Sequence, residues 1–258
     1  MKNKVILISV DGMRPDGVMQ CENPYVEELM KMSSYTMNAR TVFPSVTLPC
    51  HMSMFHSVPV ERHGITTNRY TPPVRPINGL FEQIKAAGKT STMFFGWEPL
   101  RDISRPGSLI VADYQNWRSA ENVDRILTNK ALACIDELHP DFVFLYMVDT
   151  DGNGHGSGWM SDTYIRCIYN AFDNIKRVIE HAGDEYTVIV TADHGGHDRH
   201  HGTDLDEDMI FPAFFYGKEF EHGRILNDVS ILDIAPTIAD IMGILPDEEW
   251  EGRSLTDR

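Results

Sequence analysis

The 258-residue sequence lacks three features that mark common protein classes. Its four cysteines include no CxxC pair, which argues against a disulfide framework or a zinc knuckle. It has no run of Lys and Arg, and its net charge is −15, which argues against binding a nucleic acid polymer through a basic surface. No apolar stretch approaches a membrane span, and the run at 5–10 is too short for a signal-peptide core. We therefore predict a cytoplasmic protein that does not enter a membrane, and the sequence leaves its oligomeric state open.

The apolar residues follow an alternating α/β pattern. We predict buried strands at 5–10, 91–95, 141–148, 186–191 and 211–216, and helices at 79–87, 122–138, 161–181 and 231–242. An exposed loop is expected at 71–76, where proline is frequent. Alternating strands and helices predict a mostly parallel sheet with helices on both faces. Since no linker or repeat divides the chain, we predict one domain over residues 1–258.

Carboxylate and imidazole side chains follow three of these predicted strands. In open α/β sheets, ligands bind beyond the carboxyl ends of the strands. The residues concerned are Asp11 after the first strand, Asp149, Asp151 and His155 after 141–148, and Asp193, His194, His197, His200 and His201 after 186–191. Asp and His together suit zinc or a similar divalent ion.

Glycines beside these side chains suggest how they could converge. Gly152, Gly154 and Gly156 flank His155, and Gly195 and Gly196 follow His194. We expect sharp turns at both places, which would allow Asp151 and His155 to face one ion. By strand alternation, Asp149 is expected on the same face as Asp151, where it could orient a ligand histidine or cap a helix.

Thr47 is the candidate nucleophile. It precedes Leu48 and Pro49, and proline is tolerated in the first turn of a helix. We expect Thr47 at the N-cap of a helix, with free backbone N–H groups beside its hydroxyl. From the spacing alone, a purely structural capping role is the preferred explanation. Arg14 could meet an anionic substrate, but it is expected to pair with a nearby carboxylate such as Asp16.

These motifs, in this order, resemble the type I phosphodiesterase/nucleotide pyrophosphatase family of the alkaline phosphatase superfamily. The matching segments are Val-Asp-Gly-Met-Arg-Pro-Asp at 10–16, Thr-Leu-Pro-Cys-His at 47–51, Asp-Gly-Asn-Gly-His at 151–155, Thr-Ala-Asp-His-Gly-Gly at 191–196, His-Gly at 201–202 and Asp-Ile-Ala-Pro-Thr-Ile at 233–238. The resemblance implies an alkaline-phosphatase-like three-layer core, here without a large cap domain.

The resemblance also implies a two-metal hydrolase of small phosphate esters. One divalent ion would be held by Asp11, Thr47, Asp193 and His194, and the second by Asp151, His155 and His201. His201 is preferred over its neighbouring histidines because the family places this ligand before a glycine. Zinc is the expected metal, with manganese as the alternative. Thr47 would attack phosphorus and form a phosphothreonine intermediate, with the ions stabilising the attacking and leaving oxygens.

Two departures from the family pattern leave other functions open. The family is expected to carry Asn three residues after the nucleophile as a donor to phosphate, and this chain has Cys50, a weaker donor; the Leu48 N–H could replace it. The segment between His194 and His201 is also short. A phosphodiesterase or nucleotide pyrophosphatase is our first hypothesis. A phosphomonoesterase or phosphonate hydrolase on the same metal centre and a catalytically silent metal-binding protein are the alternatives.

Overall fold

The computed structural model describes residues 4–257, and its strands form one seven-stranded sheet. The strands are β1 (Lys4–Val10), β2 (Ser34–Arg40), β3 (Ser91–Phe95), β4 (Val111–Tyr114), β5 (Phe142–Met147), β6 (Tyr186–Thr191) and β7 (Ile210–Tyr216). Their order across the sheet is β2-β7-β6-β1-β5-β3-β4. The five strands from β6 to β4 run parallel, and β7 is antiparallel to both of its neighbours. The predicted mostly parallel α/β architecture is confirmed.

Helices cover both faces of this sheet. They are α1 (Pro15–Gln20), α2 (Pro24–Met32), α3 (Thr47–His56), α4 (Val60–His63), α5 (Leu80–Ala86), α6 (Val123–Leu138), α7 (Asp149–Ser157), α8 (Asp162–Ala182), α9 (Asp206–Met209) and α10 (Ile234–Met242), with 3₁₀ helices at Glu98–Ile103 and Ile231–Asp233. Helices α1, α2 and α6 pack around α8, whereas α3, α5 and α10 pack together in a separate group. No helix within residues 4–257 is both long enough and apolar enough to cross a bilayer.

The central strands β5 and β6 are buried along their whole length, as is β1 after its first residue. Such continuous apolar runs are typical of parallel strands covered on both faces. Aromatic packing then attaches α3 to this layer, because Phe55 stacks on Phe81 at 4.9 Å and meets Phe144 of β5 edge-on at 4.8 Å. Each fully buried side chain of this size contributes about 1.5–3 kcal/mol. The helix that begins at Thr47 is therefore held firmly against the sheet.

The order of the central strands determines where the site forms. β1 lies between β5 and β6, with Val10 opposite Met147 and Ser9 opposite Thr191. The N–H of Asp11 continues this ladder by donating to the Met147 carbonyl at 2.9 Å. Because the three strands are parallel, the residues that follow them lie at one edge of the sheet.

Most predicted elements are present, and two strands were missed. The strands at 5–10, 91–95, 141–148, 186–191 and 211–216 and the helices at 79–87, 122–138 and 161–181 agree within a few residues, and the loop at 71–76 is present. The helix predicted at 231–242 is a 3₁₀ turn followed by α10. The missed strands β2 and β4 are the two edge strands. All four cysteines are free, and the cytoplasmic location stays a prediction.

Candidate metal centre

The residues that follow β1 and β6 form the first of two clusters, which we call cluster 1: Asp11, Asp193 and His194. One potential ligand atom from each lies within 4.8 Å of the others. His194 Nε2 is 3.3 Å from Asp11 Oδ1 and 3.4 Å from Asp193 Oδ2. All three side chains are almost completely buried. The sheet edge therefore brings these side chains together, as the strand-end rule predicts.

Cluster 2 consists of Asp151, His155 and His201, whose ligand atoms also lie within 4.8 Å of one another. Asp151 Oδ1 is 3.4 Å from His155 Nε2 and 3.7 Å from His201 Nε2. The two clusters are adjacent, since the rings of His194 and His201 stack with centroids 3.9 Å apart. The side chain of His155 is 45% exposed, so cluster 2 is the more open of the two.

The imidazole rings of the three cluster histidines all direct Nδ1 to a backbone carbonyl. The Nδ1 atoms lie 2.7–2.9 Å from backbone carbonyl oxygens: His155 from Arg199, His194 from Gly195, and His201 from Ser45. A carbonyl accepts a hydrogen bond, so Nδ1 carries the proton and Nε2 presents its lone pair to the cluster. Burial, reinforced by neighbouring His194, lowers the pKa of His201 to about 4. The imidazole is therefore neutral at pH 7, the form that binds metal ions.

Three buried carboxylate oxygens face these nitrogens without a hydrogen-bond partner among residues 4–257: Asp11 Oδ1, Asp151 Oδ1 and Asp193 Oδ2. Burial raises the pKa of Asp11 well above its usual value, and the nearby Asp193 and Asp151 add to this effect. Burial likewise raises the pKa of Asp151. Burial also acts to raise the pKa of Asp193, but His194 and His51 outweigh it and hold that pKa below its usual value. Unpartnered, mutually repelling oxygens beside imidazole lone pairs fit divalent cations.

Thr47 lies beside cluster 1, and it is not the N-cap that was predicted. Helix α3 begins at Thr47, and the cap is Val46, which is extended and whose carbonyl accepts the Cys50 N–H at 2.9 Å. Because Thr47 is already helical, its hydroxyl does not cap the helix. Thr47 Oγ1 instead lies 3.3 Å from His194 Nε2. The hydroxyl therefore faces cluster 1.

The glycine-rich segment after β5 is a helix, so the sharp turn predicted there is wrong. Asp151 and His155 converge because they are four residues apart on α7 and so share one face. A Cβ at Gly154 would lie 2.7 Å from the Trp159 ring, and one at Gly196 would lie 2.2 Å from it. These glycines therefore allow Trp159 to approach, and its ring also packs against His155 and His201.

The other singled-out residues lie outside the clusters. The guanidinium of Arg14 donates to both carboxylate oxygens of Asp16, which confirms the predicted pair. Asp149 does not share a strand face with Asp151, because both belong to α7, and its hydrogen bonds within residues 4–257 go to Asp124 and Asn153 and not to a histidine of either cluster. His197 pairs with Asp208 at 2.7 Å, and His200 is exposed. Of the histidines 197, 200 and 201, only His201 joins a cluster.

Cys50, at the position where the family is expected to carry Asn, lies in the core. It is fully buried on α3, where the Thr41 hydroxyl donates to its sulfur at 3.1 Å. The Leu48 N–H is also engaged, because it donates to Asn68 Oδ1 at 3.0 Å. Asn68 lies on an exposed loop with no regular structure, and sequence reasoning missed it because no strand-end or helix pattern marks that loop.

The fold and its paired Asp/His clusters together define an α/β protein of the alkaline phosphatase superfamily. The sequence model of the type I phosphodiesterase / nucleotide pyrophosphatase family matches residues 5–212. The chain belongs to this family.

Individual relatives are more distant. The chain is 26% identical to a phosphopentomutase of Symbiobacterium thermophilum over 180 residues, covering 69% of this chain and 43% of that protein. It is 24% identical to ectonucleotide pyrophosphatase/phosphodiesterase family member 1 of Rattus norvegicus over 224 residues, covering 74% of this chain and 24% of that protein. The chain thus spans less than half the length of these relatives, and the absence of a large cap domain stays a prediction.

A solved structure shares the fold over nearly the whole chain. It is murine ectonucleotide pyrophosphatase/phosphodiesterase 5, in an inactive form in complex with AMP, with a TM-score of 0.81 and 15% sequence identity. The similarity covers 95% of this chain and 96% of that chain.

Proposed function

We propose that this protein is a two-metal phosphoric-ester hydrolase of the phosphodiesterase/nucleotide pyrophosphatase type, acting through a phosphothreonine on Thr47. The observation that carries the proposal is the position of Thr47 Oγ1, 3.3 Å from His194 Nε2. The same nitrogen lies 3.3 Å from Asp11 Oδ1, which has no hydrogen-bond partner among the described residues. A capping role does not explain this position, because Val46 is the cap.

Two divalent ions fit the donors of the centre. Asp11, Thr47, Asp193 and His194 would hold one, and Asp151, His155 and His201 the other, with zinc as the first choice and manganese as the second. When bound, the ions would lower the pKa of coordinated oxygen and offset the charge that develops on the phosphoryl group.

The residues of the chain would carry out a double displacement. Thr47 Oγ forms a bond to phosphorus as the bond from phosphorus to the leaving oxygen breaks; the hydroxyl proton passes to solvent, and the leaving group takes one up. Water then cleaves the bond between phosphorus and Thr47 Oγ and restores the hydroxyl. The rigid attachment of α3 to the sheet keeps Oγ beside cluster 1, so little positioning entropy is lost in either step.

Asn68 is our candidate for holding a phosphate oxygen. Its Oδ1 is fixed by the Leu48 N–H, and no described residue accepts a hydrogen bond from its Nδ2. The amide is thus anchored one residue from Thr47 with two N–H donors available, and it could take the role that the family is expected to give to an Asn at the position of Cys50.

The substrate class follows from the family and from charge. The family name covers phosphodiesters and nucleotide pyrophosphates, and the murine structure with the same fold holds AMP. The net charge of −15 is unfavourable for a long polyanion. We therefore infer a small diester or nucleotide-type pyrophosphate.

The test compares Thr47→Ala with Thr47→Ser in the zinc-loaded protein, using an aryl phosphodiester and the matching monoester. We expect Thr47→Ala to lower kcat by about 10⁴-fold or more, because it removes the nucleophile. Thr47→Ser should retain measurable turnover, and a chelator should abolish activity in both the wild type and the Ser variant.

Full activity of Thr47→Ala would refute the covalent mechanism. A faster monoester than diester reaction would favour the phosphomonoesterase alternative. Binding of two zinc ions without turnover of any ester would leave the silent metal-binding protein as the better description.

A further inference from the structure

Two buried side chains support cluster 1 and have no part in the steps described above: Tyr146 on β5 and His51 on α3. Neither has any exposed surface. The hydroxyl of Tyr146 donates to Asp11 Oδ2. The other oxygen of the same carboxylate, Oδ1, is the one that lies 3.3 Å from His194 Nε2 and has no hydrogen-bond partner among the described residues. The two oxygens of Asp11 therefore have different tasks.

His51 connects the same tyrosine to the other members of the centre. Its Nδ1 is 2.8 Å from the Thr47 carbonyl oxygen and 3.4 Å from Asp193 Oδ2, and its Nε2 is 3.1 Å from Ser9 Oγ. The Tyr146 ring packs edge-on against this imidazole, with centroids 5.4 Å apart. Tyr146 is thus held between Asp11 and a ring that contacts both Thr47 and Asp193.

We propose that Tyr146 is a positioning residue for the metal centre: its hydroxyl holds Asp11 Oδ2 and so presents Oδ1 to the ion in cluster 1. A buried carboxylate without this donor could rotate, and either oxygen could then face the imidazole. Loss of the Tyr146 hydroxyl would also leave Asp11 Oδ2 without a hydrogen-bond donor, which is costly in a buried site. This inference rests on the metal centre of the proposed function but not on the reaction.

Tyr186 provides a matched control. It is also a buried tyrosine on a central strand, and its hydroxyl donates to the Pro140 carbonyl at 2.8 Å. Tyr186 lies opposite Lys4, at the amino ends of β1 and β6, so its hydrogen bond is at the far edge of the sheet from the clusters. Tyr→Phe removes one buried hydroxyl in each case. The fold tolerates Phe at this depth of β5, where Phe142 and Phe144 are fully buried.

The experiment titrates zinc into metal-free wild type, Tyr146→Phe and Tyr186→Phe, in competition with a chromophoric chelator at fixed pH and without substrate. We expect Tyr146→Phe to weaken one of the two zinc equivalents by about 10–100-fold and to leave the other unchanged, because outer partners of ligands usually have effects of this size. Tyr186→Phe should bind both equivalents like the wild type. Thermal unfolding of the metal-free variants checks that both are folded.

Unchanged affinity for both equivalents in Tyr146→Phe would overturn the inference. Equal weakening in Tyr186→Phe would also overturn it, because the effect would then come from general destabilisation. A wild type that hydrolyses no phosphate ester while Tyr146→Phe still loses one equivalent would end the proposed function and leave this inference in place.

Discussion

Asn68 reaches from an exposed loop to the first turn of α3, where its Oδ1 accepts the Leu48 N–H at 3.0 Å. This bond fixes which end of the amide faces the helix, because a backbone N–H needs an acceptor. Cys50, on the same helix, is buried beside Thr41, and burial raises the pKa of its thiol well above the usual value. A phosphate oxygen next to Thr47 would therefore meet the amide of Asn68 and not the thiol.

Replacing Asn68 should weaken catalysis without weakening metal binding. Asn68→Asp keeps an acceptor for the Leu48 N–H but has no N–H donor, whereas Asn68→Ala loses both. We expect each variant to lower kcat/KM for a phosphodiester by about 10²–10³-fold, the usual effect of removing one donor to a developing oxyanion. Steady-state kinetics on the zinc-loaded proteins measures this effect.

Cys50→Ala is the control for that experiment, and it should change kcat/KM only a few-fold, because the thiol is enclosed in the core. Wild-type rates in Asn68→Asp, or a loss in Cys50→Ala as large as that in Asn68→Ala, would contradict the assignment of the donor role to Asn68.

At the scale of elements, the segment 195–205 between β6 and α9 carries His201 and has almost no regular structure. The carboxylate of Asp208 on α9 is one of the groups that hold it in place. Asp208 Oδ1 lies 2.7 Å from His197 Nδ1, and Oδ2 accepts from both the N–H and the hydroxyl of Thr203, at 2.9 and 2.7 Å. These bonds lie on both sides of His201, so Asp208 connects both flanks of this histidine to α9.

Asp208→Asn should therefore loosen this segment and destabilise the protein. Asn can accept at only one atom, so at least one of the half-buried donors loses its acceptor, at a cost of about 1.5–3 kcal/mol. Urea unfolding of the metal-free proteins measures the difference. Asp206→Asn, two residues away, is the matched control, because its ion pair with Arg40 is largely exposed and contributes less than about 1 kcal/mol.

The loss of unfolding free energy in Asp208→Asn should depend on pH in a predictable direction. Burial acts to raise the pKa of Asp208, but His197 and Thr203 hold it below the usual value, so its contribution is lost only as pH falls through that lowered pKa. Asp208 raises the pKa of His197, so that contribution is complete below the usual imidazole pKa and is lost as pH rises through the raised one. The difference between wild type and Asp208→Asn should be largest between about pH 4 and 6.5. A difference that grew above pH 8 would contradict the pairing.

The same elements explain how far sequence reasoning can go. Strands β1, β5 and β6 are predictable because both of their faces are buried and their sequences are continuously apolar. The edge strands β2 and β4 mix exposed and buried positions over short lengths, so their patterns are weak. Helix α7 is not predictable from the sequence, because its glycines disfavour a helix. In the structure it forms with Trp159 packed against Gly154.

The site divides in a similar way. Asp11, Asp193 and His194 follow strand ends, so the topological rule predicts that they meet. Asn68, Tyr146 and Asp208 carry no such signal. Asn68 and Tyr146 reach the centre through partners that are distant in the sequence, and Asp208 acts through side chains of a loop without a regular pattern, so only the folded chain shows these contacts.

At the scale of the whole molecule, the net charge of −15 and the buried acidic clusters both favour the binding of cations. The parallel order of β6, β1 and β5 directs Asp11, Asp151 and Asp193 to one edge. Three of their oxygens have no partner among residues 4–257, and burying unpaired charge opposes folding. The metal-free protein should thus give up stability to keep a centre ready for cations.

Divalent metal should therefore raise the melting temperature substantially. A ligand at 100 times its Kd adds about 2.7 kcal/mol per site, which corresponds to about 5–10 °C for a chain of this size. Calorimetry with and without zinc measures the shift, and a chelator should reverse it.

Asp11→Asn should raise the stability of the metal-free protein and reduce its stabilisation by zinc. Without metal it should melt a few degrees above the wild type, because a carboxyl whose ionisation is opposed by burial is gone and the Tyr146 hydroxyl keeps an acceptor. It should nevertheless gain less from zinc. Asp206→Asn, which lies outside both clusters, should respond to zinc like the wild type. If zinc left the wild-type melting temperature unchanged, or if metal-free Asp11→Asn were less stable than the wild type, the two clusters would not be the strained cation sites described above.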